Sequence, residues 1–92
     1  MASDVLNVLL LTPTRSVLKT TAGHVNAPGV FGYIGILPGH AALISELKPG
    51  FLKIEGAEGV TPVSYKIPGG FVEIAANQVT LLVDAVEAVT AS

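Results

Sequence analysis

The feature that most constrains this chain is its punctuation. Short apolar or alternating runs stop at Pro, Gly or Asn roughly every 8 to 12 residues, a rhythm that suits strands joined by turns and is too short for a packed helical bundle. Residues 5–11, VLNVLLL, are nearly all apolar and read as a central strand covered on both faces, ended by Pro13. Residues 16–21 and 23–27, rich in Val and Thr, follow and stop at Pro28 and Gly29. Residues 30–37 form the next apolar run. At Pro38-Gly39 the chain must turn: Pro fixes φ near −65° and Gly supplies the positive φ of a type II turn. Residues 42–47 lead back.

After Lys48-Pro49-Gly50, the stretch FLKIE alternates Phe51, Lys53 and Glu55 against Leu52 and Ile54, a half-buried strand whose charges mark a solvated face. The loop GAEG at residues 56–59 joins it to a strand over residues 60–67. Pro68-Gly69-Gly70 then leads into residues 71–75, with the two glycines marking a bulge or a close backbone approach. Asn77 and Gln78 make a tight turn before residues 79–83, and residues 84–92 read as a short strand or a frayed tail. The expectation is an all-β chain, a two-sheet antiparallel β-sandwich of about nine to ten strands. Leu9, Leu11, Leu43, Leu52, Ile54, Phe71, Ile74, Leu81 and Val83 are its expected core.

At 92 residues the chain makes one domain with one core. Only 13% of it is charged, against about 25% in an ordinary soluble domain, although a domain this small has much surface. Such a chain hides part of that surface against something else. Its five Lys and Arg stand singly within a net charge of −2, so there is no basic stripe for a nucleic acid. With no Cys, disulfides, zinc-thiolate sites and Cys nucleophiles are excluded. Asp4 stands where a signal peptide carries a cation, and no run approaches the length of a spanning helix.

Catalysis requires convergent polar groups, and none are clustered here. No two acids are spaced to pair locally, and neither His24 nor His40 has an acid beside it in sequence, so the fold alone would have to assemble a metal site or a Ser-His-Asp arrangement. Gly29, Gly32 and Gly35 suggest a phosphate cradle only until the missing helix is noted. His24 reads as a strand residue with its ring at the surface. His40 stands beside a rigid turn near Phe31, Tyr33, Ile34 and Ile36, which either edge a docking surface or fill the core. Alternation allows both, with Phe31, Tyr33 and Gly35 on one side and Val30, Gly32, Ile34 and Ile36 on the other. Two other readings stand beside docking: a free-standing ligand-binding sandwich with Tyr33 and His40 in its site, and a small hydrolase using His24 or His40.

The stretch APGVFGYIGILPGHAALISELKPGFLKI resembles the signature region of the epsilon subunit of F-type ATP synthases, and YKIPGGFVEIAANQVTLLVD resembles that family's second motif. LNVLLLTPTRSVL is similar to its opening strand. The resemblance implies an N-terminal β-sandwich at the foot of the central stalk, a non-catalytic rotor subunit that grips the gamma subunit, rests on the membrane c-ring and helps to transmit torque. By motif, it places Phe31, Gly32, Tyr33 and Ile34 at the c-ring, and His40 and Ser45 against gamma. It implies no cofactor and no metal, a monomer when isolated, and a peripheral position on the cytoplasmic face of a bacterial inner membrane. Phe31 and Tyr33 replace acidic residues common in the family, and Ala42 replaces a Pro. The sequence stops at Ser92, where the family's helical hairpin begins, so the expectation is a single domain over residues 1–92 with the hairpin absent.

Overall fold

In a computed structural model, residues 5–56 and 62–89 are described, and every regular element among them is a strand. In chain order these are β1 (Leu6–Thr12), β2 (Arg15–Gly29), β3 (Gly32–Ile36), β4 (Leu43–Leu47), β5 (Gly50–Gly56), β6 (Val63–Ile67), β7 (Gly70–Ala75), β8 (Gln78–Val83) and β9 (Glu87–Ala88). Most of the loop expected at residues 56–59, the expected strand start at residue 60 and the end of the tail lie outside the described residues.

Two layers arise because β2, 15 residues long, belongs to both. Its first part pairs with β1, from Thr12↔Arg15 to Leu6↔Ala22. Its second part pairs with β3 on one side and β5 on the other, so that Val25 lies between Ile36 and Ile54. The register shifts between Ala22 and His24, at Gly23, where the strand passes from one layer to the other. The sequence breaks this segment into two strands at the same place, and the structure makes it one strand with a bulge. The first layer continues β1–β8–β7–β4, and the second continues β5–β6–β9. β1 runs parallel to β8, while the other described pairings are antiparallel.

The two layers close on an apolar core to which Leu6, Val8, Leu10, Val25, Ile36, Leu52, Ile54, Val72, Ile74, Val79, Leu81 and Val83 contribute, each 1% exposed or less. No polar or charged side chain among the described residues is buried. Leu52, Ile54, Ile74, Leu81 and Val83 are core residues as expected, and Leu43 packs against the core partly buried. Leu9, Leu11 and Phe71 are corrections. β1 is covered on one face, not two: Leu6, Val8 and Leu10 point inward, and Leu9 and Leu11 are half-exposed on the other side. Phe71 is 55% exposed because its neighbours Val72 and Ile74 take the inward positions of β7. The glycines before β7 serve a close approach, since a Cβ on Gly70, at φ +152°, would lie 2.3 Å from the Leu82 carbonyl oxygen.

Candidate docking site

The turn between β3 and β4 has the geometry that Pro-Gly dictates. The His40 N–H donates to the Leu37 carbonyl at 3.0 Å, and Gly39 takes φ +88° at the third position of a type II turn. The His40 Nδ1 lies 2.6 Å from the Ala41 carbonyl oxygen. A carbonyl only accepts, so Nδ1 carries the hydrogen. The ring is half-exposed. The adjacent hairpin turn is centred on Ala76 and Asn77, both with positive φ (49° and 62°), one residue earlier than Asn77-Gln78. The Asn77 side chain reaches across and accepts the Gly39 N–H at 2.7 Å.

Phe31 stands at the other end of β3, a strand about 17 Å long at the usual rise. It tips the turn between β2 and β3 and is fully exposed. The turn is braced from below, where Val30 N–H donates to Glu46 O at 3.1 Å and Lys48 N–H to Pro28 O at 2.8 Å. Gly32 completes it at φ +131°. Tyr33 is half-exposed and tied down: its hydroxyl oxygen accepts the Phe51 N–H at 3.2 Å, and a Cβ on Gly50 would meet both that oxygen and Pro28. Ile34 packs partly buried against the core. Of the four residues assigned to one partner, Phe31 is the free side chain, Tyr33 is half committed to the fold, Gly32 shapes the turn and Ile34 faces inward.

Ser45 also lies on the inward side of its strand, paired with the buried Val72, and its hydroxyl donates to the Glu46 carbonyl at 3.2 Å. Its neighbours Ile44 and Glu46 face outward beside Glu73 and Phe71. Phe71 in turn stands opposite Leu82 of β8. The outer face of the first layer thus carries Ile44, Phe71 and Leu82, which are 71%, 55% and 48% exposed. Glu46 and Glu73 lie among them, and no Lys, Arg or His points outward from β4, β7 or β8. Sequence reasoning missed this face, although Glu73 in FVEIA marks the outward side and Phe71 shares its parity.

Among the described residues, neither histidine joins a catalytic triad or a metal cluster. His24 Nδ1 lies 3.5 Å from Glu55 on the outer face of the second layer, and Glu55 also holds Lys53 at 3.3 Å. Neither histidine is hydrogen-bonded to a hydroxyl, and no three potential metal ligands converge among the described residues. Tyr33 and His40 sit at opposite ends of β3, and neither lines the two main grooves, of about 650 and 420 Å³.

Residues 5–89 match the family described as ATP synthase, Delta/Epsilon chain, beta-sandwich domain. The chloroplast ATP synthase epsilon chain of Trieres chinensis is 49% identical over 95% of this chain and 64% of its own length. That of Moorella thermoacetica is 44% identical over 89% of this chain and 60% of its own. The chain spans about three-fifths of the length of these relatives. A chain in the cryo-EM structure of the Euglena gracilis mitochondrial ATP synthase (OSCP, F1 and c-ring) superposes with a TM-score of 0.88 at 22% identity, over 96% of this chain and 56% of that one. A chain of the Tetrahymena thermophila mitochondrial ATP synthase central stalk and c-ring gives 0.75 at 24% identity, over 89% and 65%. These two likenesses bear on the fold, while the family match and the curated relatives carry the kinship: the chain belongs to the ATP synthase delta/epsilon family, through its β-sandwich domain.

Proposed function

We propose that the chain is a non-catalytic rotor subunit in the central stalk of an F-type ATP synthase, joining the gamma subunit to the c-ring so that torque passes between the membrane sector and the catalytic sites. The observation that carries this reading is that one small sandwich bears two exposed elements, the Phe31 tip and the His40 turn, with an outward apolar face running between them. The aromatic tip at Phe31 and the His40 turn stand at opposite ends of β3, and a linker between two partners requires such a separation. The first-layer face runs along β4 from Ile44, at the end nearer the His40 turn, to Phe71 and Leu82 beside Glu46, whose carbonyl braces the turn that carries Phe31. It offers gamma an apolar surface of the kind that carries interface energy. Phe31 and the half-anchored Tyr33 are left for the c-ring.

The place of action is the surface of an energy-transducing membrane, reached through partners. Drive by protons or sodium ions is equally compatible with this role, since the ion passes through the membrane sector. Co-purification tests the reading: the chain retains purified gamma, and Ile44→Asp abolishes that retention with an unchanged circular dichroism spectrum. Wild-type chain that fails to retain gamma contradicts the role.

A further inference from the structure

We propose that Asn77, in the β7–β8 turn, is the positioning residue that holds the Pro38-Gly39 turn, and His40 with it, in the shape that the stalk partner binds; this rests on the docking role proposed above. Among the described residues, the Gly39 N–H bond to Asn77 Oδ1 is the hydrogen bond that ties residues 38–41 to another element. The other bonds there, His40 N–H to Leu37 O and His40 Nδ1 to Ala41 O, lie within the segment. They fix the turn's internal shape, while the Asn77 bond links it to the β7–β8 turn beyond its own flanking strands.

Asn77 is itself held firmly enough to aim that bond. It sits at φ +62° in the hairpin turn, and its carbonyl accepts the Asn7 N–H at the start of β1 at 2.8 Å. Three strands therefore define where its carboxamide points. Glycine suits a left-handed turn position at least as well as asparagine. What asparagine adds here is Oδ1, and the structure shows where that oxygen goes. A turn released from the clip samples several attitudes, and docking then weakens by the fraction that remains competent, roughly two- to tenfold for one hydrogen bond.

The test uses the 92-residue chain with Asn77→Gly, which keeps the turn and removes the acceptor, and Asn77→Asp, which keeps an acceptor oxygen at the same place. Affinity for purified gamma is measured well below the unfolding transition of all three chains, together with hydrogen exchange at the Gly39 amide. The expected result is faster Gly39 exchange and a two- to tenfold weaker affinity, roughly, in Asn77→Gly, with both restored in Asn77→Asp. Loss of general stability alone would not produce that pattern. Equal affinity of Asn77→Gly and wild type, unchanged Gly39 exchange, or no recovery in Asn77→Asp each overturns the inference and leaves the docking role standing. A wild-type chain that does not bind gamma overturns the docking role and this inference together.

Discussion

The two outer faces of this sandwich are built from the same kind of strand and differ in the charges that surround their exposed apolar side chains. On the first layer, the outward positions of β4, β7 and β8 hold Ile44, Phe71 and Leu82 with Glu46 and Glu73, and no cation. On the second, Glu55 lies 3.5 Å from His24 and 3.3 Å from Lys53, and Phe51 stands opposite Lys66. Tyr33, the other large aromatic there, is bound to its own sheet through Phe51 N–H. The second face also exposes two aromatics, Phe51 and Tyr33 at 52% each, but sets them among charged and polar side chains. The first exposes large side chains whose burial against a partner is worth about 25 cal/mol per Å² of apolar area, and its two carboxylates favour a partner with Lys or Arg at matching positions.

The comparison is sharpened most strongly by testing parity, since inward and outward positions alternate along each strand. Leu52, next to the outward Phe51, is 0% exposed. Leu52→Ala should cost about 2 to 5 kcal/mol and lower the melting temperature by roughly 10 °C or more. Phe71→Ala should cost under about 1 kcal/mol. A larger loss from Phe71→Ala than from Leu52→Ala in thermal denaturation would invert the assignment of faces. Second in size is the effect on docking. Phe71→Asp should weaken gamma binding by about 30-fold or more, and Phe51→Asp, on the other face, by less than about threefold. Comparable losses in a titration of both variants would erase the distinction between the faces.

A smaller effect is expected from charge. Glu46→Lys should slow association with gamma several-fold at low salt, with the difference shrinking as ionic strength rises, whereas Lys53→Glu should leave the rate unchanged. A rate insensitive to Glu46→Lys at every salt concentration contradicts a basic partner surface. The smallest effect concerns the second face alone. His24→Ala removes a part-exposed pair with Glu55 and should change stability by less than about 1 kcal/mol in denaturant titration. A larger loss would mean that this face depends on its charges for the fold.

How far the sequence discloses these faces depends on where its polar residues fall. In FLKIE the charges at Lys53 and Glu55 settle the parity, and Leu52 and Ile54 are inward as read. In VLNVLLL the apolar residues carry no parity, and only Asn7 shows that Leu9 and Leu11 lie outward with it. Glu73 plays the same part for Phe71. The type II turn at Pro38-Gly39 was legible because its causes are local. The Asn77–Gly39 contact was not, because it joins residues 38 apart whose meeting depends on the packed hairpins. The residues assigned to docking by motif differ in exposure for a related reason. A motif locates a stretch of chain, and it does not say that Ser45 and Ile34 turn inward while Ile44 and Phe31 turn out.

Side-chain oxidation footprinting of the chain, free, with gamma, and with gamma plus c-ring, tests the central claim most directly. The account predicts that gamma alone shields Ile44, Phe71 and Leu82 while Phe51 stays reactive, and that Phe31 becomes shielded only when the c-ring is added. Shielding of Phe51 by gamma with Phe71 still reactive would contradict docking through the first-layer face, and shielding of Phe31 by gamma alone would extend the gamma contact over the neighbouring tip and leave no separate element for the c-ring.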